Sequence, residues 1–376
     1  MRLASRTAAL AESATLRLSS EVARLRRSDV PVLSLLEGEP DLAAPSPVVD
    51  AVVSALRAGR TRYSDSSGLP ELRSLISAKL KADNGIAAAP DDILVTNGAK
   101  QALYEALQAL VGPGDEVLIP SPCWVTFPQA VTLAGAAPVL VESERLAEAI
   151  TPRSRVIILN SPNNPTGKVC TEEYLKSVVD LAVKHDLVII SDEAYEGLVY
   201  DRLRHVSPAA LGALAAERTV TVQTFSKSFA MTGFRVGYLT GPAEVVRAAA
   251  RIHGHVTGNV CTFAQHGAVA ALGLAAAERA ERRAVFERRR DIAYALGSRL
   301  FPCDKPQGGL FLWVDARGRL GGKCPTSAAL AARLLEDAKV AVLPGSACGG
   351  EGFLRISFSA AEDVLREGFA RIERAL

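Results

Sequence analysis

The chain has no C-x-x-C pair: its six cysteines, Cys123, Cys170, Cys261, Cys303, Cys324 and Cys348, lie scattered over 376 residues. That argues against a disulfide framework or a zinc site and leaves them as small, reduced core or loop residues. The five histidines include one close pair, His253 and His255, which would share one face of a strand but lack a third ligand at suitable spacing. No metal is expected. A charge excess is missing too: Lys plus Arg number 43 against 41 for Asp plus Glu, and the net charge of +2 gives no support for a nucleic-acid or acidic-membrane partner. No apolar run approaches the roughly 18 residues that a membrane-crossing helix needs. The sequence carries no internal repeat and no low-complexity linker.

What is present is apolar substance. With 48% hydrophobic and 22% charged residues, the chain can build two sizeable cores. Arg2, Arg6, Arg17, Arg24, Arg26 and Arg27 among Ala and Ser resemble a transit peptide, but Glu12 and Glu21 run against that. The reading preferred is an amphipathic helix from Ser19 to Arg27 belonging to the mature fold, and a cytoplasmic location.

Through the middle of the chain, short apolar runs bounded by turn residues alternate with helical stretches, the pattern of a mostly parallel sheet with helices on both faces. Strands are predicted at Ile93 to Thr96, Glu116 to Pro120, Ala137 to Val141, Val156 to Asn160, Val188 to Ser191 and Thr219 to Thr224, with helices at Lys100 to Val111 and Thr171 to His185. After Ala275 a long charged helix through Glu281, Arg282, Arg283 and Arg288 to Arg290 leads into a smaller α+β unit. Its strands are predicted at Gly309 to Val314, Val340 to Leu343 and Phe353 to Phe358, and its closing helix spaces Leu365, Phe369, Ile372 and Leu376 at helical intervals. The expected division is a large unit over 36–280 and a small one combining 1–35 with 281–376.

Three loops carry chemistry: Asn160-Ser161-Pro162-Asn163-Asn164-Pro165-Thr166-Gly167, Ser191-Asp192-Glu193-Ala194-Tyr195, and Thr224-Phe225-Ser226-Lys227 running on to Arg235. In an open α/β sheet ligands collect outside the carboxyl ends of the strands, where Asn160, Asp192 and Thr224 fall. Together the loops offer an amine able to form a Schiff base, a carboxylate, and a phenol with an amide, the groups a pyridoxal phosphate ring needs around it. Asp192 suits the protonated ring nitrogen, although the same residue reads equally as a helix N-cap. Tyr195 and Asn164 suit the phenolic oxygen, while Asn163-Asn164-Pro165-Thr166-Gly167 is by itself a good turn sequence. Gly98-Ala99-Lys100, opening a helix directly after a strand, suits a phosphate, and Thr224, Ser226 and Arg235 complete the cradle. Trp124 offers a flat face to the ring, or is a half-buried core aromatic. Lys227, desolvated beside such a ring, becomes a nucleophile and then a general base.

These residues resemble the class I aminotransferases, the fold-type I pyridoxal phosphate enzymes, and most closely their bacterial aspartate aminotransferase branch. The likeness runs nearly end to end: Ser13-Ala14-Thr15, Gly38-Glu39-Pro40-Asp41, Tyr63, Gly68-Leu69-Pro70-Glu71-Leu72-Arg73, Asn97 to Leu103, the three loops, Gly308-Gly309 and Leu354-Arg355-Ile356-Ser357. The resemblance implies that Lys227 holds pyridoxal 5'-phosphate, Asp192 pairs with its ring nitrogen, Asn164 and Tyr195 bind its phenolic oxygen, and Trp124 stacks on it. It further implies that Arg355, aided by Asn164 and the backbone of Gly38, binds the substrate α-carboxylate. Tyr63 would reach the phosphate of a neighbouring subunit, in a homodimer with shared sites. Lys100 with Thr15 is associated in that branch with the side-chain carboxylate of a dicarboxylic amino acid.

A charged hydrogen bond of about 1.5–3 kcal/mol would give Lys100 a roughly ten- to over a hundredfold preference for acidic substrates. Two stretches depart from the branch pattern, a short connection between Val141 and Thr151 and the segment from Arg251 to Phe263, and both bear on the substrate. The expected activity is transfer of an amino group from aspartate or glutamate to a 2-oxo acid such as 2-oxoglutarate by a ping-pong route. Alternatives on the same scaffold are transfer from aromatic, neutral or specialised amino acids and β-elimination. A regulator with an aminotransferase-like sensor domain and a plain binding protein are the rivals from other classes.

Overall fold

The computed structural model describes residues 5–376. Twelve strands occur among them: β1 (Leu33–Ser34), β2 (Ile93–Thr96), β3 (Glu116–Ser121), β4 (Ala137–Glu142), β5 (Ser154–Asn160), β6 (Val188–Asp192), β7 (Thr219–Thr224), β8 (Gly237–Thr240), β9 (Phe311–Asp315), β10 (Val340–Ala341), β11 (Leu343–Pro344) and β12 (Phe353–Ser357). Seven of them form one sheet in the order β2-β8-β7-β6-β5-β3-β4. Neighbours from β7 to β4 run parallel, and only β8 runs antiparallel to both strands it touches.

Strand alternation explains the two-sided core. Val156 and Ile158 of β5 pack with Ala102, Leu103, Ala106 and Leu107 of the helix Ala99–Leu110, while Ile157 and Leu159 pack on the other face with Leu175, Val178 and Ala182 of the helix Glu172–Lys184. Such strands read as continuous apolar runs because both faces are covered. Thr171 caps the second helix, its side chain accepting from the Tyr174 N–H at 3.2 Å.

A second, antiparallel sheet orders β11-β12-β9 and is backed by the 25-residue helix Ala276–Leu300 and the closing helix Glu362–Ala375. The single strand predicted from Val340 to Leu343 is instead split. Its first half, β10, pairs with β1, and its second half, β11, pairs with β12. The predicted N-terminal helix starts earlier, at Ala14, with Ser13 as its cap. The short connection after β4 is a 3₁₀ turn over Ser143–Ala149.

The histidine pair does not lie on a strand. Both residues sit in the helix Ala243–Val256, where positions two apart point about 200° from each other. His253 is buried with Nδ1 2.9 Å from Glu105 Oε1, whereas His255 is exposed. Among the described residues no helix is long and apolar enough to cross a membrane.

Candidate active site

The three loops meet as the topology requires. β5, β6 and β7 lie side by side and parallel, so Asn160, Asp192 and Thr224, at their carboxyl ends, open on the same edge of the sheet. Asn160 ties two of the loops together: its Nδ2 donates to the Asp192 carbonyl at 3.0 Å and its Oδ1 accepts from the Asn164 N–H at 2.8 Å. Above this edge lies a cavity of about 550 Å³.

Thr15, Gly38, Ala99, Lys100, Trp124, Asn164, Asp192, Tyr195, Thr224, Ser226, Lys227, Arg235 and Arg355 all line that cavity. These are thirteen of the candidate residues from the sequence, drawn from segments more than 300 residues apart. Two candidates lie elsewhere. Gly98 stands just behind the wall, where a Cβ would come within 2.6 Å of Arg235 Nη2, and its φ of +77° also favours glycine. Tyr63 is 96% exposed and lines a separate cleft with Asn259, Thr262 and Phe263.

Asp192 is buried and has no ion-pair partner among the described residues. Its Oδ1 accepts from the Ala194 N–H at 3.0 Å, but burial prevails and pushes the carboxyl up to about 6. Lys227 is half-buried, donates from Nζ to the Gly38 carbonyl at 2.8 Å, and is driven by burial down to about 8 against the opposing charge of Glu39. Tyr195 is buried against Phe311, ring centroids 6.1 Å apart, and burial raises its hydroxyl above the ordinary value.

Arg355 reaches the cavity from β12 of the second sheet. Its Nη1 donates to Asn164 Oδ1 at 2.9 Å, its Nη2 to the Leu36 carbonyl at 2.8 Å, and its guanidinium lies 4.0 Å from the Phe311 ring centroid. The start of the helix Ala99–Leu110 also lines the cavity, and its first N–H groups have no intrahelical acceptor. Arg235 stands beside it, donating to the Thr232 carbonyl at 2.8 Å and the Asn97 carbonyl at 3.3 Å. Lys100 Nζ sits 5.1 Å from the Trp124 ring centroid, and burial followed by the charge of Arg235 lowers its pKa.

Ser19 and Glu37 also line the cavity and had no signal in the sequence. Ser13, Glu39 and Thr232 line it too; they lie within Ser13-Ala14-Thr15, Gly38-Glu39-Pro40-Asp41 and the loop from Thr224 to Arg235, but were not singled out there. Behind Asp192, a buried polar cluster also escaped the sequence reading. Glu193 accepts from Ser191 Oγ at 2.9 Å, Ser207 Oγ at 2.7 Å and Gln223 Nε2 at 3.1 Å, and lies 3.0 Å from His205 Nε2. Burial alone would raise Glu193 and lower His205, but their attraction outweighs it in both, so the pair is held charged. Glu193, Glu196 and His205 are near enough together to grip a metal ion, but the Lys79 ammonium already sits against Glu196.

The family model for class I and II aminotransferases matches residues 30–372 of the chain. An aspartate aminotransferase of Geobacillus stearothermophilus is 39% identical over 100% of this chain and 98% of its own length. An aspartate/prephenate aminotransferase of Thermus thermophilus is also 39% identical, over 100% of this chain and 98% of its own. Among solved structures, aspartate aminotransferase from Thermus thermophilus with maleate superposes with a TM-score of 0.95 at 38% identity, covering 100% of both chains. A match spanning nearly the whole chain, over a cavity built from the same motifs, places it in a family: the protein is a member of the class I and II aminotransferases.

Proposed function

We propose that the protein is a pyridoxal phosphate-dependent aminotransferase that moves the amino group of aspartate or glutamate to a 2-oxo acid such as 2-oxoglutarate. The observation that carries this reading is the pair Asp192 and Lys227 in one cavity: a buried carboxylate with no ion-pair partner among the described residues, and an amine whose proton is already loosened.

The residues fit the group. Asp192, destabilised as an anion by burial, is relieved by a protonated ring nitrogen. The free helix N-terminus at Ala99, with Thr224, Ser226 and Arg235, suits a phosphate, and glycine at 98 lets Arg235 approach it. Trp124 suits a ring face, and Asn164 with Tyr195 suits the phenolic oxygen. Bound there, pyridoxal phosphate supplies an aldehyde that accepts an amine and a ring that draws electrons from the adjoining carbon.

The chain's own groups do the rest. Lys227 holds the cofactor until substrate displaces it, then carries the proton from the substrate α-carbon. Arg355, fixed by Asn164 and Leu36, would hold the α-carboxylate and so select the C–H bond, rather than the C–C bond, for cleavage. Donor and oxo acid use the cavity in turn, hence a ping-pong pattern. The exposed Tyr63 supports a homodimer in which each chain's Tyr63 reaches the other's cavity. On this reading residues 36–280 form the cofactor-binding unit, and 1–35 with 281–376 form the smaller one, in a cytoplasmic enzyme.

Lys100, with Thr15, faces the side chain of a dicarboxylic donor. Lys100→Ser is expected to raise KM for aspartate roughly ten- to a hundredfold while sparing neutral donors. Equal loss for both donor classes, in steady-state assays, would remove that role. The amine of Lys227 gives a second expectation. Because only its neutral form attacks an aldehyde, the rate at which cofactor-free protein captures pyridoxal phosphate should rise about tenfold per pH unit and level off above about 8. A profile still rising at pH 10 would restore an ordinary lysine. Borohydride reduction of the reconstituted protein, followed by peptide mapping, tests the whole proposal. The cofactor's mass is expected on Lys227, and a blank map would overturn it.

A further inference from the structure

Of the charged groups lining the cavity, Arg235 is matched to a phosphate, Asp192 to a ring cation, Lys227 to an aldehyde and Arg355 to an α-carboxylate. Glu39 is engaged with Thr232 Oγ1. Lys100 and Glu37 remain. Neither has an ion-pair partner among the described residues, and Lys100 is already matched to a substrate side chain.

Glu37 is held rather than loose. Its Oε1 accepts from Ser19 Oγ at 3.0 Å and its Oε2 from Ser34 Oγ, the acceptor-only pattern of an anion. Its backbone is pinned as well: the Glu37 carbonyl accepts from Ser359 Oγ at 3.1 Å, and the preceding Leu36 carbonyl accepts from Arg355 Nη2 at 2.8 Å. A half-buried, fixed carboxylate therefore lines the cavity one residue from the carbonyl that Arg355 grips.

A substrate carboxylate entering this space meets Lys100 as an attraction and Glu37 as a repulsion. A carboxamide offers Lys100 its oxygen and Glu37 its N–H groups, so it satisfies both. We propose that Glu37 is a specificity-determining residue, a fixed anion that penalises a second carboxylate and brings amino acids with carboxamide side chains into competition with the dicarboxylic ones. This rests on the aminotransferase reading of the cavity. Like charges several ångströms apart in a partly screened cavity make the expected effect on the order of tenfold in affinity.

The test is binding, so that it does not depend on turnover. Succinate and its monoamide, succinamate, are titrated calorimetrically into the reconstituted wild type, Glu37→Gln and Glu37→Ala. Glutamine keeps the shape of the side chain, and alanine removes it. Both variants are expected to bind succinate about tenfold more tightly, and to bind succinamate no better than the wild type does. The ratio of the two dissociation constants thus shifts toward the diacid. An unchanged ratio in both variants, or a shift toward the monoamide, overturns the role of Glu37. Borohydride tagging of Lys227 in the same samples separates the two ideas: a missing tag refutes the cofactor assignment, whereas an intact tag with an unchanged ratio refutes Glu37 alone.

Discussion

Lys227→Ala is expected to lower kcat by about 10⁴-fold or more in the reconstituted enzyme, leaving at most a single slow turnover. The size follows from the two duties proposed for one nitrogen, capture of the cofactor and transport of the α-proton. Among the described residues the only other lysine lining the cavity is Lys100, which lies over Trp124 at the start of a helix and is proposed for the substrate side chain. It is not placed to substitute. Loss of the hydrogen bond from Nζ to Gly38 removes one of several ties on the mouth segment, since Leu36, Glu37 and Asp41 stay bound to Arg355, Ser359 and Arg289. The variant should therefore melt close to the wild type, and a thermal scan beside the kinetic assay separates lost chemistry from lost fold. Near-normal multiple turnover in a well-folded variant would end the proposed mechanism.

How far the sequence led depends on which physical signal each residue carries. The parallel strands were legible because strands buried on both faces leave continuous apolar runs, and turn residues punctuate them. β8 was not foreseen: Gly237-Tyr238-Leu239-Thr240 is short and begins with glycine, and its place in the sheet comes from pairing with β7, which precedes it, and with β2, which is distant in sequence. The cofactor-side residues sit within a few positions of strand ends and inherit their location from the strand. Glu37 and Ser19 had no such marker, because they reach the cavity only when the N-terminal segment folds across it.

Charge was the least legible property. Arg290 belongs to the long charged helix expected from the sequence, yet it is fully buried, donating to Asp201 at 2.7 and 2.9 Å and to the Pro306 carbonyl at 2.8 Å, with its guanidinium 4.9 Å from the Tyr200 ring centroid. Tyr200 in turn donates from its hydroxyl to the Gly309 carbonyl at 2.6 Å. The long helix thus braces the segment that follows Tyr195. Helical spacing alone does not tell a solvated arginine from one stacked on a tyrosine, since the partner comes from a remote part of the chain.

Asp192→Asn is expected to act in opposite directions on the cofactor-free protein and on the enzyme. In the cofactor-free chain the carboxyl is raised from its ordinary 3.8 to about 6, chiefly by burial, so folding favours its protonated form. Below about pH 4 it is protonated both folded and unfolded, and the substitution gains little. Between about pH 4 and 6 the unfolded chain is ionised while the folded chain resists, so that contribution to stability falls away and is lost once pH has risen through about 6. Asparagine keeps an oxygen for the Ala194 N–H and carries no charge, so at pH 8 the variant should be more stable by about 3 kcal/mol, measured by urea unfolding. In the reconstituted enzyme the same change leaves a buried ring cation without its anion, and a loss of about 3–5 kcal/mol corresponds to a fall in kcat of roughly 10²- to 10⁴-fold. A stability gain over the wild type no larger at pH 8 than at pH 4 would mean that the carboxylate is not held in a hostile site. One that keeps wild-type turnover would mean that no cation depends on it.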